Sequence, residues 1–292
     1  MLRLILTSMR PRQWVKNTVV FAALVFAQHL LEPADLLRVL GAFAVFCVVS
    51  GAAYLFNDVR DAEKDRRHET KRSRPVASGS LAPQIAMVAA GVLTVAGLAS
   101  SALLGVDFLL IVVAYIVLST MYSLWLKRVV IIDVMAVATG FLLRAVAGAA
   151  ALEDIEISSW LIICTLFLAL FLALGKRRHE LVYMNEHAIS HRSVLAEYSP
   201  QLLDQMIAIV TTSTLIVYVL YTTSPSVQVK LGTTKLFITI PFVLYGIFRY
   251  LYLVHKREQG GSPERVLFSD LPLLANVLLW FAAVCVALYA WR

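Results

Sequence analysis

Apolar residues run along this chain in blocks of about 20, separated by short turns and by three longer polar stretches. A helix of about 20 apolar residues crosses roughly 30 Å of hydrocarbon. Blocks of that kind fall near 14–31, 36–57, 83–104, 107–126, 129–150, 157–175, 202–223, 235–254 and 270–291. The pattern predicts an all-α, polytopic membrane protein with about nine transmembrane helices, and 1–292 reads as a single transmembrane domain without linker or low-complexity tract. The first block follows basic residues, as a secretory signal does. It is long and lacks a small-residue cleavage site, so it reads as a retained span. Composition agrees: 60% of residues are hydrophobic and the mean hydropathy is +0.77, well above the make-up of soluble domains.

Charge then orients the spans. Lys and Arg number 4 in 1–16, 7 in 58–82, 2 at 127–128, 4 in 176–199 and 3 in 255–269, whereas the turns 32–35, 105–106 and 151–156 hold none. The third of those turns carries Glu153, Asp154 and Glu156 instead. By the positive-inside rule the amino terminus and the three long loops face the cytoplasm, and nine spans put Arg292 outside. The net charge of +7 is accounted for by this topology and by phosphate binding, so nucleic acid is rejected as a partner. Cys47, Cys164 and Cys285 lie singly in apolar spans without a metal-ligand pattern and read as packing residues.

Asn57-Asp58-Val59-Arg60-Asp61-Ala62-Glu63-Lys64-Asp65 follows an apolar span directly. If that span continues as a helix for two turns, Asn57, Asp61 and Asp65 recur at i, i+4 and i+8, with Asp58 on a neighbouring edge close to Asp65. Carboxylates so close repel unless a cation offsets them, and Mg²⁺ suits one or two carboxylates completed by water and substrate phosphates. Asn57, Asp58, Asp61 and Asp65 are therefore the candidate metal ligands, and the three aspartates the candidate catalytic groups. Lys71-Arg72-Ser73-Arg74-Pro75 comes next, and Lys71, Arg72 and Arg74 suit phosphate as a point charge and planar forks. The acidic stripe also fits a solvated helix end, and the basic run fits topology alone.

This order of motifs resembles the UbiA superfamily of intramembrane prenyltransferases over nearly the whole chain. The resemblance implies a ring of helices around a central cavity, with loops after the second and sixth spans facing each other. Arg10-Pro11-Arg12-Gln13-Trp14-Val15-Lys16-Asn17 resembles the family's amino-terminal element and implies Lys16 and Asn17 as phosphate contacts. Tyr122 and Lys127 are similar to a Tyr-x-x-x-Lys pattern with one residue more between them, which implies Lys127 as a further contact. After the sixth span, where a second Asp-rich motif serves the prenyl diphosphate branch, this chain reads Gly175-Lys176-Arg177-Arg178-His179-Glu180-Leu181. That run resembles the decaprenyl-phosphate phosphoribosyltransferase branch, with Lys176, Arg177 and Arg178 holding phosphate and Glu180 near a ribose hydroxyl or a neighbouring Arg. His187 and His191 have no partner in the pattern.

Within the fifth span Asp133 and Arg144 stand eleven residues apart, nearly on one face and roughly 16 Å apart along the axis, too far to touch. An Arg deep in an apolar span needs a partner or a wet cavity. Arg144 is read either as a cation reaching the substrate chamber or as a structural charge; the resemblance favours Asp133 as a cavity residue.

The resemblance implies Mg²⁺-dependent transfer of 5-phosphoribose from phosphoribosyl pyrophosphate to a polyprenyl phosphate at a bacterial cytoplasmic membrane, feeding cell-envelope arabinose. One alternative is a prenyltransferase joining a prenyl diphosphate to an aromatic or other acceptor. Another, of a different class, is a lipid-phosphate or ion transporter, which would spread polar residues through both leaflets. A homo-oligomer remains compatible with the sequence.

Overall fold

The computed structural model describes all residues except 68–70, 153–154, 156–157, 184–192, 258–259, 262 and 291–292. The features expected at Glu153, Asp154, Glu156, His187, His191 and Arg292 lie outside the described residues. Among those described no strand forms, and the chain is α-helical with short 3-10 turns. Among the described residues eight helices are long and apolar enough to cross a membrane. The helices divide between two compact units, Met1–Ala22 with Glu32–Glu156, and Ala23–Leu31 with Ile157–Arg292.

The first unit holds α1 (Leu2–Ser8), α3 (Pro33–Arg60), α4 (Ala62–Arg66), α5 (Pro83–Ala102), α6 (Val106–Leu124) and α7 (Ile132–Ala150). Pro33 and Pro83 open their helices where a missing N–H costs nothing. α3 packs on α5, α6 and α7. Its 28 residues extend about 42 Å at 1.5 Å per residue, past the ~30 Å of hydrocarbon. The surplus turns carry Asn57 and Asp58 out of the apolar layer. Small residues let the backbones close: a Cβ on Gly97 would lie 2.4 Å from Val49 Cγ1, and one on Gly148 would lie 1.9 Å from the Val20 carbonyl oxygen.

The expected span 14–31 takes another form. Pro11–Val20 is a 3-10 helix, followed by the short α2 (Phe21–Phe26), and the chain turns at Gln28 with φ 66°. Tertiary contacts override the apolar pattern here: Val20 lies against Gly148 of α7, and the Asn17 side chain is drawn inward by Arg144. Ten 3-10 residues at about 2.0 Å and six α residues at about 1.5 Å still give a contour length of roughly 29 Å.

The second unit holds α8 (Ser159–Tyr183), α9 (Pro200–Thr223), α10 (Pro225–Leu231), α11 (Ile240–Lys256), α12 (Pro263–Ser269) and α13 (Leu271–Cys285). Its core gathers Tyr218, Tyr221, Leu236, Val284 and Leu288 around Val25. A polar thread crosses it: Trp280 Nε1 donates to the Tyr218 hydroxyl at 2.9 Å, which meets Thr239 Oγ1 at 2.7 Å. Asp270 caps α13 by accepting from Leu273 N at 2.9 Å. The Arg249 guanidinium hydrogen-bonded to Asp270 holds its carboxyl below the usual carboxylate range.

Candidate functional site

The acidic run keeps helical hydrogen bonding almost throughout, with Asp61 N on Asn57 O at 2.9 Å and Asp65 N on Asp61 O at 2.8 Å. Only Asp61 leaves helical dihedrals, at φ −99° and ψ 7°, between α3 and α4. The single stripe expected from the spacing therefore presents two edges with different partners.

On one edge, Lys127 arrives from the 3-10 turn Leu126–Arg128 that joins α6 to α7. Its Nζ donates to Asp61 Oδ1 and Oδ2, both at 2.7 Å, and approaches Asn57 Oδ1 at 3.3 Å. On the other edge, Asp58 and Asp65 are buried, at 2% and 5% exposure. Arg74 Nη1 donates to Asp65 Oδ2 at 2.6 Å and Asp58 Oδ1 at 3.2 Å, while Arg10 Nη2 forms a second ion pair with Asp58. Arg10 lies over the Tyr54 ring, 4.7 Å from its centroid, with left-handed backbone at φ 56°. Two carboxylates are thus committed to arginines, and one carboxylate with one amide oxygen surrounds a lysine ammonium.

The other expected contacts of this unit separate. Lys71 begins the 3-10 turn Lys71–Ser73 whose carbonyl accepts from Arg74 N, Arg72 is exposed, and Lys16 Nζ donates to Gln13 Oε1 at 3.1 Å. Asn17 is 1% exposed: its Oδ1 accepts from Arg144 Nε at 2.7 Å and its Nδ2 donates to Ser50 Oγ at 3.3 Å. Arg144 donates further to Gly140 O at 2.8 Å and the Tyr115 hydroxyl at 2.7 Å. Asp133 is fully buried at the first turn of α7.

In the second unit the cationic run occupies the end of α8. Arg177 pairs with Glu180 one turn on, and Lys176 Nζ lies 4.0 Å from Glu180 Oε1. Arg178 pairs with Asp204 of α9, which His255 Nε2 also approaches at 3.3 Å. Lys176 is the most exposed of the three cations, at 38%.

Sequence reasoning missed Arg10, Tyr54, Tyr115, Asp204 and His255. Arg10 stood inside a quoted motif, and its signal was available as a cation two helices away from surplus carboxylates. Tyr54, Tyr115 and Asp204 lie within expected spans and His255 just past one, and their importance comes from contacts distant in sequence.

The chemistry of the Lys127 cradle bears on a metal. An ammonium surrounded by Asn57 and Asp61 oxygens is a stand-in for a hard cation, and those ligands suit Mg²⁺ if water and substrate phosphate complete the shell. Among the described residues no group of three or more His, Cys, Asp or Glu side chains is arranged to hold a metal ion, so a site here depends on such outside oxygens.

Residues 18–271 match the family model described as the UbiA prenyltransferase family. Decaprenyl-phosphate phosphoribosyltransferase of Corynebacterium glutamicum is 34% identical over 97% of this chain and 86% of its own. The protein of that name from Mycolicibacterium smegmatis is 33% identical over 98% of this chain and 92% of its own. Among solved structures, a UbiA homologue from Archaeoglobus fulgidus bound to GPP and Mg²⁺ superposes with a TM-score of 0.74 at 16% identity, covering 98% of this chain and 99% of that one. That last likeness is one of fold.

Proposed function

The chain belongs to the UbiA prenyltransferase family, and from that membership we propose that it is a polyprenyl-phosphate phosphoribosyltransferase. It takes 5-phosphoribose from phosphoribosyl pyrophosphate, places it on a decaprenyl-type phosphate in a bacterial cytoplasmic membrane and releases pyrophosphate; the phosphoribosylated lipid then feeds an envelope arabinose donor. Full-length likeness to two enzymes of that name supports the reaction. The observation that carries the assignment of residues is the convergence of Asn57 and Asp61 oxygens on one cation.

Asn57 and Asp61 would hold Mg²⁺, which supplies positive charge against a diphosphate leaving group. Asp58 and Asp65, gripped by Arg10 and Arg74, fix the turn that presents Asp61 and so act as positioning residues. Lys71, Arg72 and Lys127 donate to diphosphate oxygens, and Lys176, Arg177 and Arg178 are the phosphate-binding cations of the second unit. A lipid phosphate oxygen forms the new bond to the anomeric carbon while the bond to pyrophosphate breaks, its electron pair leaving with pyrophosphate and the carbon inverting. The nucleophile is already anionic at neutral pH, so no side chain has to remove a proton. Catalysis then rests on alignment and charge stabilisation, which these cations provide.

The test supplies the purified protein with ribose-labelled phosphoribosyl pyrophosphate and decaprenyl phosphate, and separately with a prenyl diphosphate and aromatic acceptors. Label should become lipid-extractable in the first pair, with loss on chelation of divalent ions. Asp61→Asn should lower kcat by about 10²-fold or more, the scale of removing one electrostatic stabiliser. Product in the second pair alone would overturn the reading.

A further inference from the structure

We propose that Lys127 is an exchangeable counter-cation: its ammonium occupies the Asn57 and Asp61 oxygens in the resting protein and passes to the incoming diphosphate when metal takes its place. This rests on the metal site read above and adds an order to its loading. The ammonium addresses both carboxylate oxygens of Asp61 at 2.7 Å and the Asn57 amide oxygen at 3.3 Å. A divalent ion needs those same lone pairs at about 2.0–2.1 Å, so the two cations exclude each other.

The neighbouring carboxylates show the contrast. Asp58 and Asp65 are held by arginines, whose planar forks are pre-organised for carboxylate. Asp61 is 24% exposed and held by a lysine, a point charge on a flexible four-carbon stem. Lys127 also sits on a turn anchored at both sides, by Trp125 N on Met121 O at 2.9 Å and by Asp133 N on Val129 O at 3.0 Å, so its side chain can swing without moving the helices.

The consequence is coupling. Without diphosphate, a displaced ammonium has no anion to receive it, so metal binds weakly. With diphosphate, the ammonium gains phosphate oxygens as it yields the carboxylate, and metal and diphosphate favour each other reciprocally.

Two measurements on the full-length protein in detergent test this, with Mn²⁺ as the probe metal. In the unaltered protein, acetylation of Lys127 by an amine-reactive ester, read by peptide mass spectrometry, should quicken several-fold when Mn²⁺ saturates the site. Inorganic diphosphate added with Mn²⁺ should slow it again. Lys127→Met should bind Mn²⁺ about tenfold more tightly than the unaltered protein in the absence of diphosphate, the scale of one charge-assisted contact. Asp61→Asn should abolish binding in both backgrounds. A Lys127 labelling rate indifferent to Mn²⁺ overturns the exchange, whatever the variant affinities, and leaves the metal site standing. Mn²⁺ affinity unaffected by Asp61→Asn overturns the metal site itself.

Discussion

Arg144 shows how one residue makes an expensive charge tolerable. A lone Arg near the middle of an apolar span costs about 2.5–3.5 kcal/mol on insertion scales. Here three neutral acceptors, Asn17, Gly140 and Tyr115, take its donors, and the Tyr115, Phe141 and Phe46 rings lie 4.7, 5.5 and 5.9 Å from the guanidinium carbon. Among the described residues no carboxylate forms an ion pair with it. Asn17→Ala removes an acceptor from this buried charge and should cost about 1–3 kcal/mol, read as a lower thermal midpoint in detergent. An unchanged midpoint would remove Asn17 from the network. The need for such a partner was legible in the sequence, but its identity was not, because Asn17 lies 127 residues away. The acidic run was legible in the same partial way. Its i, i+4 spacing exposed the stripe, while the division into a lysine edge and an arginine edge depends on Lys127, 66 residues beyond Asp61.

At the scale of elements, hydropathy located the eight long helices because burial in lipid and burial in protein ask for the same apolar composition. It did not disclose the 3-10 form of Pro11–Val20, where the deciding facts are contacts with α7 that no local window contains. Gly148 concentrates that lesson, since any side chain there must displace the Val20 carbonyl. Gly148→Ala should therefore destabilise the protein by roughly 1–3 kcal/mol, the usual cost of overpacking, despite alanine's better helix propensity. A stability gain in a thermal melt would show that Pro11–Val20 does not need this close approach.

For the whole chain, the apolar blocks announced membrane residence and the charged loops announced chemistry, yet neither revealed the division into two units. Hydropathy records each residue's surroundings and says nothing of which helices share them. The segment Ala23–Leu31 makes this plain: it follows the first unit in sequence but packs with the second, through Gln28 Nε2 on Leu231 O at 2.6 Å and Tyr289 on Val25 O at 3.1 Å. The family match, over residues 18–271, takes in residues of both units. The proposed reaction requires that Asp61 ligate the metal that assists ribosyl transfer. The direct measurement is formation of lipid-extractable ribose by Asp61→Cys with Mg²⁺ or with Cd²⁺, because a thiolate prefers the softer ion. Little product with Mg²⁺ and recovery with Cd²⁺, opposite to the preference of the unaltered protein, is the predicted result. Full activity with Mg²⁺, or no recovery with Cd²⁺ in a variant that remains folded, would contradict it.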